Sequence, residues 1–360
     1  MAALGYPVIV HSAEDDRLDI PELVFPFVDS GQEALNWPGG RPPTAMRVGG
    51  LGSFYVGRDW EEAKRAARKP SGELSLPAAG EGASARRGVV EGKVALVTGG
   101  ARGLGAEIAR GLAEHGAFVI IADINLESAR ERADSLNSSG KRRAEAVEVD
   151  VSSELSVRKM VSKVLLCAGG IDILISNAGV LRAGSVLKQS AADFEFVTRI
   201  NYSAFFLLVK QVALILVRQR SANPGYSSDI IQINSKSGLV GSNRNAAYAG
   251  GKFGGIGLVQ SFALELIEYG IKVNAVCPGN FFDGPMWSDP DNGLFVQYLK
   301  TGKVPGARNV MDVRKFYERK VPMGRGCESR DVLRAILYCV EQQYETGQAV
   351  PVTGGQVMLA

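Results

Sequence analysis

The sequence predicts an α/β fold: a doubly wound, mainly parallel seven-stranded sheet with helices on both faces, plus a small N-terminal module. Three observations predict it. Beyond residue 91, short β-branched runs alternate with amphipathic helical stretches, the pattern of parallel strands joined by crossover helices. The first junction between strand and helix is rich in glycine, and the second strand ends on an acid. Before residue 91 that alternation is absent, and a stretch of proline, glycine, serine and alanine separates the two parts.

Along the chain, residues 1–69 carry short apolar runs such as YPVIV and LVFPFV, broken by prolines and glycines, and then a charged helical pattern, WEEAKRAAR. They read as a small module of unknown role, and residues 70–90 as a flexible linker. Residues 91–360 form the third unit. Its expected strands are Val94–Thr98, Phe118–Asp123, 146–150, 171–176, 230–234, 272–276 and Ala349–Val352. Two long helices are expected at 192–218 and 246–269, each apolar on more than one face. The segment 287–321 is long, mixed in charge and broken by proline and glycine. It reads as a lid whose Trp287, Phe295 and Tyr298 either help exclude water or pack against one another.

Composition sets limits. The 360 residues hold 41 Lys and Arg against 38 Asp and Glu, a net charge of +3, and 46% are hydrophobic. Wholesale disorder is excluded, and no concentrated basic character suggests nucleic acid. The two histidines, His11 and His115, cannot build a multi-imidazole metal site, so no metal is expected. Four cysteines without a CxxC pair suggest buried thiols in a reducing cytoplasm. The most apolar run, AFFLLVKQVALILV at 204–217, is short for a membrane span and is interrupted by Lys210 and Gln211, so no membrane is expected.

The clearest motif is Thr98-Gly99-Gly100-Ala101-Arg102-Gly103-Leu104-Gly105, between the strand KVALV and the helical AEIARGLAEHG. Glycines permit a tight turn and close approach of a pyrophosphate, which the helix N-terminus then meets with free N–H groups. This is a dinucleotide site of the Rossmann type. Asp123, eighteen residues beyond Gly105, would accept hydrogen bonds from both ribose hydroxyls and repel a 2′-phosphate. That choice favours NAD over NADP.

Gly99 and Gly103 are separated by three residues, a spacing that resembles the short-chain dehydrogenase/reductase family over residues 91–360. The resemblance implies an adenine-contacting pair at Asp150 and Val151. It implies a cleft-lining motif at Asn177, Ala178 and Gly179, and a nicotinamide-side loop at Pro278 and Gly279. It also implies a catalytic set of Asn201, Ser235, Tyr248 and Lys252. Tyr248 follows Ser235 by thirteen residues, the family's separation, and Lys252 lies four residues further, on the same helical face. In this set Ser235 holds the substrate oxygen and Tyr248 takes its proton. Lys252 lowers the tyrosine pKa and binds the nicotinamide ribose, and Asn201 anchors a relay water. The phrases QINSKSG, KVPMGRGC and VTGGQVM resemble the sorbitol-6-phosphate 2-dehydrogenases within that family. The implied reaction is NAD-linked interconversion of sorbitol 6-phosphate and fructose 6-phosphate. Lys236, Arg244 and Asn245 are the expected contacts to phosphate or polyol. Another polyol, sugar or 3-oxoacyl substrate, or a non-catalytic NAD-binding regulator, are the alternatives. The resemblance also implies that the two long apolar helices pair across subunits, in a homodimer or homotetramer.

Overall fold

The computed structural model describes residues 8–12, 45–48, 52–57, 88–138, 142–222 and 225–358, the first three segments by their backbone alone. Those segments are strands β1 (Val8–Ser12), β2 (Ala45–Val48) and β3 (Gly52–Gly57), which pair antiparallel in the order β1-β3-β2. The helical pattern at 60–68 and most of the expected linker lie outside the described residues.

From Val94 the alternation of strand and helix is regular. Strand β4 (Val94–Thr98) leads to α1 (Gly103–Glu114), β5 (Phe118–Asp123), α2 (Leu126–Asn137), β6 (Ala144–Glu148), α3 (Glu154–Ala168) and β7 (Ile173–Ser176). Then come α4 (Ala191–Thr198), α5 (Ala204–Ala222), β8 (Ser228–Ile233), α6 (Ala246–Leu266) and β9 (Ile271–Pro278). Four helices follow: α7 (Pro285–Ser288), α8 (Leu294–Lys300), α9 (Val310–Glu318) and α10 (Ser329–Glu341), before strand β10 (Ala349–Val352). The sheet order is β10-β9-β8-β7-β4-β5-β6, and every neighbouring pair is parallel.

Strands β4, β7, β8 and β9 are buried along their whole length. In β4 and β7 this matches nearly continuous apolar runs, whereas β8 and β9 also bury Asp229, Gln232, Lys272 and Asn274. One core packs α3, α5 and α6 on one face of the sheet through residues such as Met160, Phe205, Leu216 and Val259. A second packs α1, α2 and α10 on the other through Ile108, Leu112, Ala129 and Ile336. Helices on both faces make the sheet doubly wound, as expected. Chain order reverses between β4 and β7, and ligands of such sheets bind in the crevice beyond the strand ends at that switch point.

Several expectations shift. The third strand begins two residues earlier than expected, where Ala144 rather than Ala146 starts the pairing with β5. The helix expected at 192–218 is divided, because α4 and α5 are joined through a π turn at Arg199–Ser203 that holds Asn201. The stretch Ala191–Ser221 is long and apolar enough to cross a membrane by length and composition. Half of its most apolar window is buried inside the protein, so its apolar face already has a partner. The four thiols are unpaired, but only Cys277 and Cys339 are buried; Cys167 and Cys327 are partly exposed.

A buried ion pair fastens α10 to the sheet. Lys272 Nζ lies 3.0 Å from Asp229 and donates to the carbonyls of Cys339, Val340 and Gln342, at the helix C-terminus. A cation suits the negative end of the helix dipole. Burial pushes the Asp229 carboxyl up to about 6 against the pull of Lys272.

Candidate active site

The glycine turn runs from the end of β4 into α1. Gly99 and Gly103 have φ of 63° and 57°, the left-handed region that glycine adopts without strain. A Cβ on Gly105 would lie 2.1 Å from the Gly99 carbonyl and 2.4 Å from Asn177 Nδ2, so only glycine lets α1 start this close to the turn. Asn177 holds the other side: its Nδ2 donates to the carbonyls of Thr98 and Gly99, and its N–H to Thr98 Oγ1. Helices α2, α3 and α4 carry Asn125, Ser153 and Ser190 as side-chain caps and an acid in the first turn. Helix α1 has neither, so its N–H groups stay open to an anion. The donor set fits a dinucleotide pyrophosphate.

Asp123 ends β5 beside this turn. Its two carboxylate oxygens accept from the N–H groups of Ala101 and Asn125, which fixes the carboxylate at the rim. Asp150 accepts from the N–H and hydroxyl of Ser152, with Val151 buried next to it. Beyond β9, the Gly279 N–H donates to Val352, and Pro285 of the following segment meets the open face of Gly103.

Ser235, Tyr248, Lys252 and Asn201 gather at the adjacent strand ends. Ser235 leaves β8 in extended conformation, and its hydroxyl accepts from the Ser237 N–H. Tyr248 and Lys252 share one face of α6, with Lys252 Nζ 5.8 Å from the centre of the tyrosine ring. Lys252 Nζ donates to the Ile233 carbonyl at 2.8 Å. Burial pushes the Lys252 ammonium down to about 8. Burial also raises the Tyr248 phenol, which the hydroxyl of Ser235 pulls partly back. Asn201 binds Val180 through both polar atoms, donating to its carbonyl and accepting from its N–H. It packs in the same buried region as Lys252, Ser176 and Gln232.

Residues 93–291 match the family described as short chain dehydrogenase. The chain belongs to that family. The match covers the glycine turn, Asn201 and all three of Ser235, Tyr248 and Lys252. This short-chain dehydrogenase is similar to sorbitol-6-phosphate 2-dehydrogenase of Escherichia coli strain K12. The two are 38% identical over 270 residues, covering 74% of this chain and 99% of the relative. It is also similar to the crystal structure of sorbitol-6-phosphate 2-dehydrogenase SrlD from Erwinia amylovora. There the TM-score is 0.68 and the identity 38%, over 74% of this chain and 100% of that one. A variant of the actinorhodin polyketide ketoreductase, solved with NADPH, aligns at TM-score 0.65 and 28% identity. That alignment covers 73% of this chain and 97% of the ketoreductase.

Two supports of the dehydrogenase site escaped the sequence reading. The first is Asn234, buried behind Ser235. Its Nδ2 donates to the Lys252 carbonyl and to Gln232 Oε1, and its Oδ1 accepts from the Ser235 N–H. One side chain thus ties the serine and lysine segments together. The second is a pair of lysines, Lys303 and Lys320, that stand near the expected contacts Lys236 and Arg244. Lys236 stands in the turn Lys236–Gly238, and Arg244 in the loop before α6. Lys236 is within electrostatic reach of Lys320, and Lys303 within reach of Arg244 and Lys320. Lys303 and Lys320 belong to the lid, and no local spacing marks them in the sequence. Asn245 caps the approach to α6 and is buried, with Nδ2 donating to Ser242 and Oδ1 without a partner.

The aromatics of the segment 287–321 take the packing alternative. Trp287, Phe295 and Tyr298 are buried, and they pack with Phe282 and Tyr317 into a third core. Their rings hold the lid together as a small body of its own.

Proposed function

We propose that this dehydrogenase interconverts sorbitol 6-phosphate and fructose 6-phosphate with NAD. The observation that carries the reading is the juxtaposition of Ser235, Tyr248 and Lys252 with Lys236, in the turn after Ser235, and Arg244, in the loop before α6. The names of the two relatives at 38% identity support the same substrate.

In the oxidising direction, the substrate C2 hydroxyl rests between the hydroxyls of Ser235 and Tyr248. The phenolate of Tyr248 takes the hydroxyl proton as the carbon becomes a carbonyl. When bound, the nicotinamide supplies the redox chemistry by accepting a hydride from that carbon. Proton and hydride leave from different atoms, and the two electrons of the C–H bond travel with the hydride. Burial alone holds the phenol neutral, so an adjacent positive charge is needed to favour phenolate. Lys252 provides one from the same helical face. Asn201 keeps the loop at Val180 in place through both of its polar side-chain atoms, and in this reading it anchors a water that relays the proton from Lys252.

Asp123 selects the cofactor. Its carboxylate at the rim of the glycine turn suits two ribose hydroxyls and opposes a 2′-phosphate. Around the rest of the dinucleotide, Gly99, Arg102, Gly103, Leu104 and Gly105 take the pyrophosphate. Asp150 and Val151 meet the adenine, and Asn177 to Gly179 with Pro278 and Gly279 line the nicotinamide end. The ketoreductase solved with NADPH favours a second reading, a different ketone reduced with NADP on the same scaffold.

Replacing Asp123 by Ala tests the cofactor assignment. The ratio of kcat/KM for NAD over NADP is expected to fall about tenfold or more, since the charge that repels a 2′-phosphate is gone. Equal use of NADP by the unaltered protein would favour the second reading.

A further inference from the structure

We propose that Lys303 and Lys320 of the lid complete, with Lys236 and Arg244, a clamp for the substrate phosphate, while Asn245 accepts a hydrogen bond from a polyol hydroxyl. The inference rests on the phosphorylated substrate proposed above and assigns the residues that select it.

The four cations come from different parts of the fold. Lys236 follows Ser235 directly. Arg244 lies four residues before Tyr248, in the loop that enters α6. Lys303 follows α8 and Lys320 follows α9. Among the described residues none of the four has a carboxylate within ion-pairing distance. Other lid and flanking arginines do: Arg314 pairs with Asp283 and Glu318, and Arg325 with Asp331. A like-charged group without counter-charges is costly unless an anion joins it.

The lid lysines are positioned by aromatic faces. Lys303 Nζ sits 3.8 Å from the centre of the Tyr298 ring, and Lys320 Nζ 4.2 Å from that of Phe316. Tyr298 and Tyr317 stack 5.4 Å apart within the lid core, so the two ammonium groups stand on one rigid support. Such contacts place a cation without neutralising it. The loop opposite is held in an unusual conformation. Arg244 has φ 59°, the one non-glycine residue with positive φ among those described. Its carbonyl is fixed by the Gly184 N–H. Left-handed backbone at a non-glycine residue concentrates at functional sites.

Asn245 links the two sides. It is only 9% exposed, and its Oδ1 has no hydrogen-bond partner. Its amide N–H side faces the Tyr298 hydroxyl and favours the ionised phenol as a donor does, which leaves Oδ1 as the open group. A buried acceptor without a donor calls for one from a ligand, and a polyol supplies hydroxyls. Cations for a phosphate and an acceptor for a hydroxyl, both at the mouth of the catalytic set, describe a phosphorylated polyol.

The test uses the full chain and the variants Lys303→Met, Lys320→Met and the double variant, which keep the apolar stems. Three quantities are measured. They are kinetics with sorbitol 6-phosphate, NADH binding by fluorescence, and the rise in melting temperature with inorganic phosphate against chloride at matched ionic strength. The expected result for the double variant is a KM for sorbitol 6-phosphate at least about tenfold higher. NADH affinity should be unchanged, and the phosphate-induced thermal shift should be lost. Unchanged KM and thermal shift, with the unaltered protein active on sorbitol 6-phosphate, would overturn the clamp and leave the proposed reaction standing. Failure of the unaltered protein to turn over sorbitol 6-phosphate would instead overturn the reaction. In that case the thermal shift decides the clamp: its loss in the double variant supports an anion site, and its persistence or absence throughout overturns it.

Discussion

In the mechanism proposed above Lys252 has to be charged to assist Tyr248, yet the fold buries it and brings its ammonium down to about 8. The cost has a measurable sign. The unfolded lysine keeps its proton up to its ordinary value of 10.5, whereas the folded one releases it from about 8. Between those values the unfolded chain binds more protons, so stability contributed by this residue rises with pH. In urea titrations of the cofactor-free protein, the stability of the unaltered protein minus that of Lys252→Met is expected to increase from pH 8 to pH 10.5. A flat difference would place Lys252 in a wetter setting than its burial implies. Tyr248→Phe separates chemistry from binding. Turnover is expected to fall by about a thousandfold or more, since a positioned acid–base group contributes on the order of 10²–10⁴, with NADH affinity unchanged. At this scale the sequence was informative wherever chemistry depends on local spacing. The proposed set of Ser235, Tyr248 and Lys252 could be read because strand end and helix face lie within one short segment. Lys303 and Lys320 stayed hidden because the cations they approach, Lys236 and Arg244, are distant in sequence and meet them only through the fold; Asn234 stayed hidden because an asparagine at a strand end carries no mark of the carbonyl it binds.

Helix and turn geometry decides which glycines the site cannot lose. At Gly105 a methyl group would press on the Gly99 carbonyl at 2.1 Å, and backbone cannot yield as a flexible side chain can. Gly105→Ala is expected to widen the turn, to weaken NADH binding about tenfold or more, and to destabilise the fold by about 1–3 kcal/mol through overpacking. Gly257 faces open space in the described chain, so Gly257→Ala serves as the matched control, with NADH affinity unchanged. Fluorescence titration and thermal melts read both variants. The strand pattern was legible because fully buried parallel strands are unbroken apolar runs, as in β4 and β7. The π turn at Asn201 was not, since apolar residues continue on both sides of it and one inserted residue leaves no mark in composition. The aromatic packing of the lid was equally hidden: Trp287, Phe295 and Tyr298 have the same identity whether they line a cleft or hold three short helices together.

For the molecule as a whole, Phe206 and Leu214 on α5 and Phe253 and Leu264 on α6 remain 46–83% exposed, although the opposite faces of both helices are buried in the core. We propose that these faces join in a homodimer or homotetramer, as the apolar helices suggest; Phe253→Glu is expected to yield a smaller species in light scattering, and an unchanged mass would move the interface elsewhere. The division into a module at 1–69, a linker at 70–90 and a catalytic unit at 91–360 is likewise a proposal, resting on the break in pattern near residue 91. The fold of the catalytic unit was readable because its βα alternation repeats, whereas the isolated strands β1 to β3 offer no repeat to read. The most direct measurement is NADH formation at about 340 nm with sorbitol 6-phosphate and with free sorbitol, each with NAD and with NADP, for the unaltered protein. Turnover with sorbitol 6-phosphate and NAD, at least about tenfold above every other pairing, is the expected result. Equal or better turnover of free sorbitol would contradict the phosphorylated substrate, and a preference for NADP would contradict the role given to Asp123.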